Sequence, residues 1–386
     1  MNPTIKLYYQ DSYMRDFHAC ILSINENCIV LDQTAFFPES GGQYADPGSL
    51  GGSTVIDVQE IDGIIYHYVE GDFHYQVGDI ITGVLDWPIR YMKMQQHTGE
   101  HIISGLMMKH LGIRNVGFHL GTEISTLDFA EEVSKDKLRE IESIANQAIY
   151  NNLEVMESWP SAEEAEQIPY RSKIEIGEDL RLIVIPDVDI CACCAPHVHR
   201  TGEVGAIRII DSIRYKGGIR ITIICGTRVI EDHRTMEAII RELSISLSAP
   251  REQIPTHVQQ LKEEIISYKR EIHELQQQIL QYKVLMLPIQ DQHILFEPEL
   301  SGENPRYLIN LVLEQGCNLC AVFYAGQDGN YRYVIGSKTK DIRSLGTCLN
   351  DRFQGRGGGT REMVQGMLNA SEDQIRAFFT QEDTCH

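Results

Sequence analysis

Eight apolar residues, Val258, Leu261, Ile265, Tyr268, Ile272, Leu275, Ile279 and Tyr282, follow one another at alternating steps of three and four, with Glu, Gln, Lys and Arg between them. Only a long helix gathers residues so spaced onto a single seam. Pro255 and Pro288 bound the run, since proline is accepted in a first helical turn and stops a helix beyond its end. Such a helix belongs between domains. Its seam is either a dimeric or hairpin coiled coil or a face packed on its own chain, and both readings stay open. A chain of 386 residues has room for two or three domains around it.

The texture differs on the two sides of that helix. Short alternating runs (Ala19 to Ile24, Thr54 to Val58, Ile64 to Val69, Asp79 to Val84), parted by Asp62-Gly63 and Glu70-Gly71, make residues 1–90 a small β-barrel. From Tyr91 the pattern turns helical, with Ile102, Leu106 and Leu111 on a helical period. Ser134 to Asn152 reads as a second helix burying Leu138, Ile141, Ala145 and Ala148, and strand-like runs at Leu182 to Ile185 and Ile219 to Ile224 flank a cysteine cluster. The expected fold class is therefore α+β and multidomain: the barrel, an α/β core over 91–248, a helical linker over 249–286, and a mixed α/β domain over 287–386.

Charge and cysteine usage narrow the function. A net charge of −21 excludes a protein that grips nucleic acid over its whole surface, because phosphate binding relies on Lys and Arg. Any such contact is local. Lys338, Lys340, Arg343, Arg352, Arg356 and Arg361 form the densest basic stretch, and Arg208, Arg214, Lys216 and Arg220 a smaller one. Three of the ten cysteines sit in Cys191-Ala192-Cys193-Cys194, which is metal or thiol spacing rather than a disulfide framework. The N-terminus lacks the basic flank and apolar core of a signal peptide, and no apolar run is long enough to span a bilayer, so a cytoplasmic protein is expected.

His97 and His101 stand four apart on a segment read as helical, which places both imidazoles on one face. Cys193 and His197 repeat that spacing in a loop about ninety residues on. Three imidazoles and a thiolate suit Zn²⁺, with Cys191 and Cys194 as alternatives to Cys193, in either a closed structural site or a catalytic one. Glu100, inside His97-Thr98-Gly99-Glu100-His101, is open to three readings: a base, a partner of a ligand, or a solvated helix residue. Its order is not H-E-x-x-H, so the zinc-peptidase base is out of place. Gly357-Gly358-Gly359 reads as a phosphate-cradling or flexible loop. Cys317 and Cys320 have redox spacing in an apolar context.

His97-x-x-x-His101 followed by Cys193-Cys194-Ala195-Pro196-His197 and Thr201-Gly202-Glu203-Val204-Gly205 resembles the bipartite zinc motif of alanyl-tRNA synthetase editing domains. Upstream, Leu31 to Gln43 resembles the glycine motif of that family, and Gly205 to Gly226 the rest of the domain. Beyond the heptad helix, Gly316-Cys317 and Gly355 to Arg361 are similar to the DHH-associated C-terminal domain of the same synthetases. These parts together resemble the long free-standing editing proteins, the AlaX-L type.

The resemblance implies zinc on His97, His101, Cys193 and His197, with Gly41, Gly42 and Gln43 in the pocket wall and His119 and Thr122 where the family has polar pocket residues; Glu100 and Gln43 are the candidate catalytic side chains. Where the family usually has Thr before its second His, this chain has Glu100. The implied activity is trans-editing: zinc-assisted hydrolysis of the ester in Ser-tRNA(Ala) or Gly-tRNA(Ala), with tRNA-binding by the C-terminal domain and a homodimer through the heptad helix. No class II synthetase catalytic motif is apparent, so aminoacyl-tRNA synthesis is not expected. The rival is a zinc-stapled RNA-binding or assembly protein without catalysis; a third reading is a metallohydrolase for another ester or amide.

Overall fold

A computed structural model describes residues 2–172, 180–326 and 330–380. The chain divides into two compact units, Met1–Glu242 and Leu243–His386. In the first, β1 (Asp16–Asn25), β2 (Cys28–Leu31), β3 (Gly48–Leu50), β4 (Ser53–Ile61), β5 (Ile64–Glu70) and β6 (Ile80–Leu85) close into a barrel in the order β1-β2-β5-β4-β3-β6. Period-two alternation is visible in β6, whose Ile81 and Leu85 are buried while Ile80 and Val84 are exposed. Asp62 and Gly63 take positive φ at the tip of the β4–β5 hairpin, the conformation a tight two-residue turn needs.

His67, on β5, is enclosed in the barrel, with Nε2 2.8 Å from Thr34 Oγ1 and Nδ1 3.1 Å from the Ile29 carbonyl. Burial lowers its pKa to about 4 from the ordinary 6.5. The unfolded chain therefore takes up this proton first as pH falls. Stability from the neutral ring is complete above pH 6.5 and is lost progressively down to about pH 4, by about 3 kcal/mol in all. Urea midpoints measured from pH 7 to 4.5 should fall less steeply in His67→Gln than in the parent protein. Equal slopes would show that His67 does not set this dependence.

The barrel leads into α1 (Trp87–Leu111), which starts at an Asp86 cap and Pro88 and stops at Gly112 in the left-handed conformation. It begins four residues before the expected start. From Lys93 to Met107 every residue of α1 is buried, so the helix is enclosed on all sides rather than along the single apolar face the sequence suggested. Polar side chains in such a helix need partners. The sheet β12 (Ile207–Tyr215), β13 (Gly218–Cys225), β8 (Ser125–Phe129) and β7 (Asn115–Leu120) is antiparallel in that order. With α2 (Lys135–Tyr150), it shares a core with α1 containing Ile102, Leu106, Leu138, Ile141 and Ile221. The strands β9 (Met156–Ser158), β10 (Leu182–Ile185) and β11 (Asp189–Ala192) form a third sheet, and α3 (Thr227–Ser246) follows.

The second unit contains α4 (Ile254–Leu285) and a five-stranded sheet. Its strands are β14 (Gln292–Phe296), β15 (Leu319–Ala325), β16 (Tyr331–Ser337), β17 (Arg356–Gly359) and β18 (Met363–Leu368), ordered β14-β15-β16-β18-β17. The helices α5 (Asn304–Glu314), α6 (Arg343–Arg352) and α7 (Glu372–Thr380) complete it. One sequence reading is corrected here. Gly357 to Gly359 are not a loop but the edge strand β17, paired with β18. Burial, which raises the Cys317 and Cys320 thiols above their usual range, opposes the thiolate that redox chemistry requires.

The expected long helix is present as α4, and its seam is exposed among the described residues. Leu261, Ile265, Tyr268, Ile272, Leu275, Ile279 and Tyr282 are all exposed, whereas Leu280 and Val284, off the seam, enter the core of the second unit. No helix among the described residues is long and apolar enough to cross a membrane.

Candidate metal centre

Two remote segments meet at one point. His97 and His101 come from the middle of α1, and Cys193 and His197 from the loop after β11. One ligand atom from each of the four lies within 4.8 Å of every other, the arrangement of a possible metal-binding cluster. Cys193 Sγ is 3.5 Å from His97 Nε2 and 3.4 Å from His197 Nε2.

The other nitrogen of each imidazole faces an oxygen. His97 Nδ1 is 2.9 Å from Gln43 Oε1, an acceptor, so that nitrogen carries the proton and Nε2 keeps its lone pair. His197 Nδ1 is 3.0 Å from Thr98 Oγ1. His101 Nδ1 is 3.0 Å from Asp189 Oδ2, an oblique approach that leaves the nitrogen without a well-aligned hydrogen bond. Arg171 holds the same carboxylate through two bonds, at 2.6 and 2.7 Å. Oxygen partners of this kind fix ring orientation around a metal.

Burial first, then His101, His97 and Arg181, hold His197 well below the ordinary pKa, so the ring is neutral. Burial, with Cys194 and Cys191 adding to it, pushes the Cys193 thiol up. A buried thiol beside three imidazoles is a donor set that a bound dication would match, and the ion would draw off the thiol proton.

Glycines let these segments approach. A Cβ at Gly105 of α1 would stand 2.3 Å from the Val188 carbonyl, so glycine there allows β11 to bring Asp189 against His101. Gly42, at φ +82°, would place a Cβ 2.4 Å from the Phe118 carbonyl of β7. The glycine segment is also tied down by a buried ion cluster: Asp46 accepts from Arg90 Nε at 2.6 Å and from Lys93 Nζ at 3.3 Å. Lys93 also donates to the Tyr44 and Ala45 carbonyls.

Of the other residues singled out, Gln43 is buried against His97, and Gly41 lies beside Cys194. Glu100 is 1% exposed, which removes the solvated-helix reading. Its Oε1 accepts from Ser104 Oγ at 2.8 Å and Asn115 Nδ2 at 3.0 Å, and its Oε2 lies 3.7 Å from His101 Nε2. Strand alternation turns Phe118 toward His97, at 4.9 Å between rings, and leaves His119 exposed on the other face of β7. Thr122 is exposed at the β7–β8 turn, where its carbonyl accepts from Arg228. Neither is gathered with the four donors. Cys194 pairs with Ser40, 3.4 Å away, and Cys191 lies with His101 and Asp189 in a second possible cluster.

The sequence reading missed Asp189, Thr98, Arg171, Ser104 and Asn115. Only Asp189 carried a signal, as an acid two residues before Cys191. A cavity of about 890 Å³ opens onto the centre and is lined by His97, Glu100, His101 and Cys193 among others. The smaller basic set is largely neutralised, with Arg208 on Asp232, Arg214 on Glu132 and Arg220 on Asp128.

Two separate stretches of the first unit match families of aminoacyl-tRNA synthetases. Residues 5–89 match the family described as tRNA synthetases class II (A), and residues 180–222 the threonyl and alanyl tRNA synthetase second additional domain. More particularly, the chain is a relative of the alanyl-tRNA synthetases, of the kind formed by their editing and C-terminal domains. Alanine–tRNA ligase of Ignicoccus hospitalis is 33% identical over 72% of this chain and 32% of its own length. That of Pyrococcus abyssi is 30% identical over 95% of this chain and 42% of its own. The chain thus spans less than half the length of these relatives. The solved C-Ala domain of Aquifex aeolicus alanyl-tRNA synthetase matches 23% of the chain at 24% identity with a TM-score of 0.19, an overlap too slight to define a fold.

Proposed function

We propose that this chain is a zinc-dependent aminoacyl-tRNA deacylase that acts in trans on mischarged tRNA(Ala). The observation that carries this reading is the convergence of His97, His101, Cys193 and His197 at the edge of a cavity large enough for an aminoacylated nucleoside. The mixed nitrogen and sulfur set suits zinc, which takes such ligands tetrahedrally. When bound, zinc would polarise an ester oxygen, and on taking a fifth ligand beside these four it would lower the pKa of a coordinated water. Gln43, Asp189 and Thr98 hold the three rings. Glu100, anchored through one oxygen by Ser104 and Asn115, takes the proton of the attacking water and returns it to the terminal ribose oxygen as the ester C–O bond breaks. Serine, which adds a hydroxyl to alanine, offers a polar pocket more to recognise than glycine, which lacks a methyl worth only about 1–3 kcal/mol.

Purified protein should release serine from Ser-tRNA(Ala) in proportion to its zinc content, both measured on the same sample. Protein with one zinc per chain that binds tRNA but hydrolyses none would instead be the zinc-stapled RNA-binding form.

The exposed seam of α4 supports a homodimer through this helix as part of the reading. Leu261→Glu with Leu275→Glu sets charges at two seam positions that are 45% and 49% exposed within one chain, so the monomer should tolerate both. Light scattering should then report half the parent mass. A parent that is already monomeric, or a variant of unchanged mass, would exclude the dimer.

A further inference from the structure

The cavity that reaches the metal centre has a second wall of different chemistry. Away from His97 and His101 it is lined by Pro3, Ile5, Tyr9, Trp159 and Leu180. Ile5 and Trp159 are 52% and 50% exposed, an unusual display of apolar surface at the mouth of a pocket. Trp159 meets Tyr9 edge to face, with ring centres 5.2 Å apart. Tyr9 is braced in turn by cations, Lys6 Nζ at 5.6 Å and the Arg181 guanidinium at 5.0 Å from its ring centre. The indole is thus held by a fixed neighbour yet open to the cavity.

The charges of this wall are already matched. Lys6 pairs with Glu60 at 2.7 Å, and Arg181 with Glu157 at 2.6 Å, while also donating to the Cys193 and Ala195 carbonyls. Cations so engaged are poorly placed to clamp phosphate. A flat, uncharged, polarisable group suits the wall better, and a nucleobase is such a group.

We propose that the outer part of this cavity is a nucleobase subsite, in which Trp159, braced by Tyr9, stacks on a base at the 3′ end of an RNA strand whose terminal ribose reaches the metal centre. This assignment rests on the deacylase reading for its substrate, but the binding itself does not require hydrolysis. Trp159 also lines a second cavity of about 400 Å³ with Ser12, Glu157 and His199.

The test uses the full chain loaded with zinc and the trinucleotide cytidylyl-cytidylyl-adenosine, with ribose 5-phosphate as the base-free control. Equilibrium dialysis should show trinucleotide binding that Trp159→Ala weakens about tenfold and Trp159→Phe weakens less, since a stacked base contributes that order of affinity. The chain has two tryptophans, and Trp87 packs against Arg15 and Tyr91 outside this cavity, so fluorescence quenching by the trinucleotide should vanish in Trp159→Ala. On Ser-tRNA(Ala), Trp159→Ala should raise KM about tenfold and leave kcat near its parent value. Equal trinucleotide affinity in parent and Trp159→Ala, or equal binding of ribose 5-phosphate, would overturn the subsite. Trp159-dependent trinucleotide binding by a protein that hydrolyses no mischarged tRNA would support the subsite and defeat the deacylase reading alone.

Discussion

Cys193→Ala should lose its zinc and its deacylation of Ser-tRNA(Ala) together, while Cys191→Ala keeps both. Cys193 Sγ lies within 3.5 Å of two imidazole nitrogens, whereas Cys191 is grouped with His101 and Asp189, whose carboxylate is already held by Arg171. Alanine at His97, His101 or His197 should have the same effect as at Cys193, because three donors seldom hold a structural zinc as firmly as four. Gln43→Leu separates holding from chemistry. If Gln43 only orients His97, the variant should bind zinc roughly 10- to 100-fold more weakly and recover its kcat once zinc is saturating. A kcat that stays low with zinc fully bound would put Gln43 in contact with substrate. Retention of metal and activity by Cys193→Ala, with their loss in Cys191→Ala, would reassign the sulfur ligand.

The four donors were legible because their chemistry is local: i and i+4 on a helix, and the same step in a cysteine loop, need no tertiary knowledge. What surrounds them was not. Gln43, Thr98 and Asp189 become ring partners only through the closeness of α1 to the glycine segment, the Cys193 loop and β11. Gly105 makes the last of these approaches possible, and a helical glycine announces no neighbour. The burial of α1 on every side was hidden for a related reason. Arg90 and Lys93 are buried against Asp46, and only the fold brings Asp46 between them. Periodicity revealed α4 with its seam, yet a repeat does not state what covers it. Gly357 to Gly359 misled because glycine signals flexibility in a sequence, whereas pairing with β18 fixes it in a strand.

The largest effect expected at a distance from the metal centre is on tRNA affinity. The six basic residues of the Lys338 to Arg361 stretch are all exposed, in a chain whose net charge of −21 repels RNA elsewhere. In the first unit, Arg208, Arg214 and Arg220 are spent on carboxylates. A protein ending at Ser248 keeps α3 whole and all residues of the metal centre. It should fold, bind one zinc and hydrolyse Ser-tRNA(Ala) at near parental kcat when tRNA saturates. Its KM should rise, and the fall of kcat/KM with salt should become shallower, because each lost phosphate contact removes roughly 0.7–0.9 from the logarithmic slope. Neutralising Arg352, Arg356 and Arg361 in the full chain should reproduce part of both changes without removing any domain. Such effects belong to binding shared by ground and transition states. A zinc-loaded truncation with unchanged KM and a collapsed kcat would instead make the second unit part of the catalytic site.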